Sequence, residues 1–527
     1  MQLKQWAILS SLVVMGFTTP LQAASPFIGI NTNESTHFDA SLPFVDLFKT
    51  SEPFKDSSYT KGNIQLDNLG WVRNLNGGQA GTYFIRWIPY DAFPKGLYTV
   101  RYQGKGVLNY QEDVKVVKRG ANQDILELVP NAANEINAAL VITQSDPRDP
   151  IRNIQITMPG GICHGNPFKA VPNATACGGG SYLSFADHAD TVLFNPDYLN
   201  FMRQFKLLRF MNMSGITRND IQTWQQMPNV QNATWGGKEG RRGVPLEVMV
   251  QLANTLNANA WFNIPHRAND QLVQQYAAYV AANLRPNLKA YVEYTNEAWN
   301  EAFSQAKYVR QMGAQQGLAK DPIMAGINYY GRRSKQIFQM FEQAFHGTQR
   351  LVRVIGGWSG RPDLTPFFLK PDDVYKNTDV FAIAPYFYAN QDSLMQIKTV
   401  DDVFALLNDP KQPYGIAATL RQVQKHAELI APYKVHLVAY EGGQHLVHYG
   451  TKSRMQYPNP LLSGANKDPR MAQAYTQLLQ GFKQAGGQLF VAFSSPRPHA
   501  FFGFWGMKEH IRQPDNQAPK LQAIQRF

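Results

Sequence analysis

Short apolar runs recur along the chain. Between most of them lie longer stretches with apolar positions three and four residues apart. The first pattern predicts buried strands and the second amphipathic helices. Eight strand segments are read in this way, at residues 26–31, 207–212, 258–264, 289–296, 352–358, 380–386, 435–441 and 489–494. Helical patterns fill most of the gaps. They cover 245–256, with Pro245 at a first helical position, 271–283 behind the capping pair Asn269-Asp270, 334–345, 418–430 and 472–485. Strand and helix alternating at this spacing predict an α/β fold, a (β/α)8 TIM barrel. An open doubly wound sheet would more often show a glycine-rich nucleotide loop, which is absent.

Residues 60–160 break the alternation of strands and helices. Tyr98-Thr99-Val100-Arg101-Tyr102 and Val114-Lys115-Val116 follow a period of two, punctuated by Gly104, Gly106 and Gly120. Half-buried antiparallel strands fit that period. The expectation is a β-sandwich inserted after the first barrel strand. Its main role is read as structural, with Trp71, Trp87 and Tyr110 as the aromatics that could meet a sugar.

The amino terminus reads as a signal peptide over residues 1–23. Lys4 supplies the positive end, residues 6–17 the apolar stretch, and Ala23-Ala24 the small residues for cleavage. The mature chain is then expected in the periplasm or outside the cell, with no integral membrane segment. The expected layout is residues 24–59 for the first barrel strand and its following segment, 60–160 for the sandwich, 161–199 for a disulfide-closed loop, and 200–527 for the rest of the barrel. Cys163 and Cys177 are the only cysteines and flank a Gly/Asn-rich stretch. In an exported chain they predict a disulfide. The loop they close could roof the barrel mouth.

Charge narrows the partners a little. The net +12 is spread along the chain, with short clusters at Lys118-Arg119 and Arg241-Arg242. An anionic polymer or membrane surface is compatible with it. No nucleic-acid motif is present. No cofactor is expected, and no metal: neither His164 beside Cys163 nor His445 and His448 beside Glu441 have a recognised ligand spacing.

The chemistry lies at strand ends. Tyr291-Val292-Glu293-Tyr294-Thr295-Asn296-Glu297 closes the fourth strand, and Val438-Ala439-Tyr440-Glu441 closes the seventh. A barrel presents catalytic groups there. Taken alone, Asn296-Glu297 could be an ordinary helix start, with Asn as cap. A second carboxylate at another strand end favours hydrolysis of a glycosidic bond, in which one carboxyl protonates the leaving oxygen and the other acts at the anomeric carbon. Glu297 is the candidate acid/base, with a proton affinity raised by its surroundings. Glu441 is the candidate nucleophile, kept ionised by hydrogen bonds. The Asn296 amide could bond the sugar hydroxyl next to the reacting carbon.

This arrangement resembles the large clan of retaining glycoside hydrolases built on (β/α)8 barrels, over residues 26–35 and 200–515. The resemblance implies an Asn-Glu pair ending the fourth strand as acid/base and a glutamate ending the seventh as nucleophile. The run Thr295-Asn296-Glu297-Ala298-Trp299-Asn300 departs from the commoner Asn-Glu-Pro form. It looks more like exported bacterial proteins described as cellulose-binding. The resemblance also implies a tyrosine after the sixth strand donating to the nucleophile, Tyr386 or Tyr388, and an aromatic sugar platform after the eighth, Trp505.

Further residues complete the expected substrate-binding set. Arg209 could orient Glu441 or a neighbouring carboxylate. His266 could reach a sugar hydroxyl, and Trp299, Trp358 and His445 could line the cleft. The expected activity is retaining glycoside hydrolysis of a polysaccharide or oligosaccharide by double displacement. The alternatives are a non-catalytic carbohydrate-binding protein on the same barrel, and a transglycosidase.

Overall fold

Eight parallel strands close a barrel in chain order: Phe27–Asn31, Leu207–Arg209, Asn259–Ile264, Ala290–Tyr294, Leu351–Gly356, Val380–Ile383, His436–Ala439 and Leu489–Ala492. The eighth pairs with the first, Phe27 opposite Leu489, and so leaves no sheet edge. The computed structural model describes residues 27–57, 63–236, 243–447, 459–500 and 503–527. The expected signal peptide, Arg241-Arg242 and His448 lie outside the described residues.

Alternation along the strands builds the interior. Leu207, Trp261, Tyr291, Val354, Val380, Val438 and Leu489 pack together inside the barrel. Successive inward positions are two residues apart. The same faces therefore point Arg209, Asn263, Glu293 and Tyr440 inward, one layer nearer the carboxyl ends. Polar residues in that layer would be costly unless they satisfied one another.

Helices cover the outside. Leu246–Leu256 has Pro245 as its N-cap, so the helix starts one residue later than expected. Asp270–Asn283 is capped by the Asn269 side chain, which accepts from the Leu272 N–H. The helix expected at 334–345 starts twelve residues earlier and spans Pro322–Ala344, capped by Asp321 with proline in its first turn. Ser304–Gln315 has no counterpart among the expected helices. Its buried face is Gln305, Ala306, Val309 and Gly313, too polar and small to show an apolar stripe.

Between the first two barrel strands the chain forms two four-stranded antiparallel sheets. They pack face to face: the Tyr110 hydroxyl on one donates to Asp124 Oδ2 on the other at 2.8 Å. Two of the three aromatics considered for sugar are therefore engaged internally. Tyr110 spans the sheets, and Trp71 is buried, stacked on Phe48 at 5.7 Å.

Cys163 and Cys177 form a disulfide. The stapled segment holds a small sheet, Gly161–Cys163 with Ala170–Val171 and Tyr182–Ser184. Its contacts run to the sandwich, through Asp187 and Arg101 at 2.6 Å, and to the helix before the second strand, where Arg203 lies over Phe168. None of these contacts is to Glu297 or Glu441. Among the described residues no helix is long and apolar enough to cross a membrane.

Candidate active site

One buried guanidinium organises the polar layer. Arg209 is wholly enclosed. Its Nη1 donates to Glu441 Oε1 at 2.9 Å and to Asn31 Oδ1 at 3.1 Å. Its Nη2 donates to Glu293 Oε2 and to Asn296 Oδ1, each at 3.0 Å. A planar fork of donors suits four acceptors in one plane better than a point charge would. With no exposed surface, Arg209 meets a ligand only through the groups it holds, so its place among substrate-binding residues changes to one that positions Glu441.

Glu293 closes the far side of this layer. Besides Arg209, Trp261 Nε1 donates to its Oε2 at 2.9 Å and Asn263 Nδ2 at 2.7 Å. Gly356 gives it room, since a Cβ there would stand 3.0 Å from Glu293 Oε1. Asn31 ties in the first strand by donating to the Tyr440 carbonyl at 3.0 Å.

Glu441 stands just beyond the seventh strand and is 6 % exposed. Its second oxygen accepts from the Tyr386 hydroxyl at 3.0 Å. Tyr388 instead stacks on Tyr414 at 4.5 Å, which decides between the two tyrosines. Glu297 follows the fourth strand and is partly open. It accepts from the Tyr440 hydroxyl at 3.0 Å and from Asn300 Nδ2 at 2.8 Å. Tyr440 precedes Glu441 in the chain, so one residue links both carboxyl groups.

The backbone at Asn296-Glu297 is not a helix start. Thr295 and Glu297 both lie in the left-handed region, at φ 57° and 40°, and the next helix begins only at Ser304. Such positions cost about 1–3 kcal/mol each in non-glycine residues and persist where surroundings fix them. Here Asn263 Nδ2 donates to the Thr295 carbonyl and Gln305 Nε2 to the Asn296 carbonyl. Asn296 Nδ2 rests on Thr217 Oγ1 at 3.3 Å.

Burial works on both carboxyl groups. It pushes Glu441 up to about 8, against Arg209, and the nearby Glu297 adds to the rise. Burial also raises Glu297, against its donors Asn300 and Tyr440. The hydrogen bonds expected to keep Glu441 ionised are present, and burial opposes them. Groups so close titrate as a pair that shares a proton.

Aromatic side chains frame the mouth. Phe493 packs edge-on against Tyr386 and Trp505, beside Met211 and Ile216. Trp505 Nε1 donates to His445 Nδ1 at 3.2 Å. Burial lowers the His445 imidazole to about 4, so the ring is neutral at pH 7 and its remaining proton sits on Nε2. Gln444 and Lys520 both donate to the carbonyl of Phe504, which holds the Trp505 backbone. Trp299 and Trp358 stack at 5.0 Å over a small apolar cavity lined by Tyr330 and Phe368. His266 is buried against Tyr308, away from both carboxyl groups in all its described contacts.

The residues missed in the sequence are Asn31, Trp261, Asn263, Glu293 and Tyr440. For Glu293 a signal existed: a charge one residue before a strand end, inside an apolar run, must face a polar partner. Among the described residues no group of three or more His, Cys, Asp or Glu side chains converges to hold a metal ion.

No protein-family model matches the chain, and no curated protein matches it. Solved structures do. One is a GH51 arabinofuranosidase from Xanthomonas axonopodis pv. citri, 14% identical, with 66% of this chain and 65% of that chain covered and a TM-score of 0.37. Another is a family 5 xyloglucanase from Paenibacillus pabuli, 13% identical over 70% of this chain and 98% of that chain, TM-score 0.38. A third is a GH10 endoxylanase from a sugarcane soil metagenome, 10% identical over 62% and 90%, TM-score 0.35. The chain spans slightly less than two thirds of the arabinofuranosidase. At these identities and TM-scores the functional reading rests on the geometry of the site itself.

Proposed function

We propose that this chain is a retaining glycoside hydrolase acting on a polysaccharide or oligosaccharide, with Glu441 as nucleophile and Glu297 as acid/base. The observation that carries the reading is the unequal support of two linked carboxyl groups at one barrel mouth. Glu441 accepts from a guanidinium and a phenol; Glu297 accepts from an amide and a phenol. A charged donor favours the anion more than a neutral one does. The shared proton therefore belongs on Glu297 and the charge on Glu441.

The chemistry follows from that division. A Glu441 oxygen attacks the anomeric carbon as the bond to the leaving oxygen breaks, and the Glu297 proton passes to that oxygen. Water then attacks the glycosyl ester. It gives a proton to Glu297 and releases Glu441 as carboxylate. Each carboxylate oxygen of Glu441 keeps a free lone-pair direction beyond its one bond from Arg209 or Tyr386. Trp505 offers an apolar face for the sugar ring, and His445 a neutral Nε2–H for a hydroxyl. Export to the periplasm or the medium fits a polymeric substrate.

The test is a glycan panel incubated with the wild type and Glu441→Gln, with the first-formed anomer followed by NMR. Retained configuration in the wild type and no turnover in the variant are expected. Inverted product, or hydrolysis unaffected by the substitution, would overturn the assignment. An added acceptor sugar separates hydrolysis from transglycosylation by its products.

A further inference from the structure

We propose that the inserted sandwich carries a second carbohydrate-binding surface, built on Tyr83, Arg86 and Trp87, for a neutral polysaccharide chain; this rests on the glycosidase reading above and extends it away from the cleft.

The surface is made by a bulge. Strand Ala80–Pro89 pairs with Glu135–Ser145, and the register slips between Ile136 opposite Ile88 and Ala138 opposite Ile85. Arg86 and Trp87 thus share the single residue Asn137. Bulges turn side chains out of the alternation of a strand. Trp87 emerges 54 % exposed, at φ 55°, where a bulky aromatic is rarely found. Its N–H is held by Asn137 Oδ1 at 3.0 Å, and the Asn137 N–H by Asp113 Oδ2 at 2.7 Å. A strained conformation kept by specific bonds around an exposed tryptophan is a reason to look for a ligand.

The neighbours give the ligand its chemistry. The Arg86 guanidinium lies 4.2 Å from the Trp87 ring centre and 4.7 Å from that of Tyr83. Held between two rings, its donors stay aligned at low entropic cost. An indole face covers the C–H face of a pyranose, and a fork of N–H groups beside it meets hydroxyl oxygens. Glu112, which accepts from Tyr83, and Glu52, paired with Lys55, balance the local charges of Arg86 and Lys55, which suits a neutral sugar.

A short stretch of chain joins the surface to the catalytic layer. The Arg86 N–H donates to the His37 carbonyl at 2.7 Å, and exposed Phe38 packs on the His37 ring. His37 is six residues beyond Asn31, which binds Arg209. Six residues extend at most about 20 Å. A chain of several sugar units covers such a span, so one polymer can occupy both places.

The experiment is affinity electrophoresis in gels containing hydroxyethyl cellulose, xylan, galactomannan or alginate, in the Glu441→Gln background so that nothing is cut. At least one neutral polymer should retard the protein. Trp87→Gly and Arg86→Ala should weaken that retardation about tenfold, the loss expected of a central aromatic or arginine anchor. Trp87→Gly should keep the wild-type melting temperature or raise it, because glycine suits φ 55°. With Glu441 restored, it should cleave a short oligosaccharide as the wild type does. Retardation unchanged in both variants, retardation by alginate alone, or none at all would overturn the surface. If Trp87→Gly loses retardation while the wild type cleaves no panel glycan, the surface stands and the glycosidase reading falls. If the wild type cleaves without Trp87-dependent retardation, the reverse holds.

Discussion

Arg209 Nη1 and Glu441 Oε1 stand 2.9 Å apart, with the guanidinium fully enclosed and Glu293 on its other arm. One cation thus faces two buried carboxyl groups. Removing it leaves both without their cation, and breaking a buried pair costs about 3–5 kcal/mol. Arg209→Met should lower the urea midpoint accordingly and abolish turnover. Arg209→Lys should recover part of the stability and little of the activity, because an ammonium cannot serve four acceptors in a plane. Full activity in the lysine variant would argue against the positioning role.

The Tyr386 hydroxyl bonds Glu441, whereas Tyr388 stacks on Tyr414. A hydrogen bond to a charged group is worth about 1.5–3 kcal/mol. Tyr386→Phe should therefore lower kcat/KM by roughly 10- to 100-fold, with Tyr388→Phe close to wild type. Steady-state kinetics on one soluble substrate decides it; equal losses would contradict the assignment.

Burial raises both Glu441 and Glu297 above their ordinary 4.5. The folded pair then holds its one shared proton, on Glu297, more tightly than the unfolded chain holds it. That contribution to stability is complete below pH 4.5 and is lost as pH rises through the raised range, up to about 8. Glu441→Gln removes it. The stability of the wild type relative to this variant should fall steadily between pH 5 and 8, measured by urea unfolding. A flat difference would mean that Arg209 outweighs burial.

The same substitution should act on the partner carboxyl. Without the neighbouring charge, Glu297 holds its proton less tightly. Carbon-13 NMR of labelled glutamates should show its titration moving to lower pH in Glu441→Gln. No movement would separate the two carboxyl groups electrostatically.

The disulfide Cys163–Cys177 closes a short loop in which Phe168 meets Arg203, and the segment after it reaches the sandwich through Asp187. Replacing both cysteines by serine should cost about 3 kcal/mol in stability on the chain-entropy account. At 25 °C turnover should stay near wild type. A large loss of activity in a folded variant would place this segment at the cleft after all.

Much of the barrel was legible in advance. All eight strand segments lie in the closed sheet, since short apolar runs between helical patterns are a local signal. The helix Ser304–Gln315 was not legible, because Gln305, Ala306 and Gly313 bury a face without apolar bulk. Trp71 and Tyr110 illustrate the opposite limit. An aromatic in a period-two strand looks the same whether it meets solvent or, as here, Phe48 or Asp124.

By itself, the sequence determined the strand order and the two strand ends that carry Glu297 and Glu441. Those features follow from residue spacing along the chain. Tertiary structure alone decided the partners. Arg209 is 84 residues from Glu293 and 232 from Glu441, and the three meet only because the closed sheet sets one register for every inward side chain. The proton affinities were decided at the same stage, since burial, which raises both catalytic candidates, exists only once the barrel has excluded water.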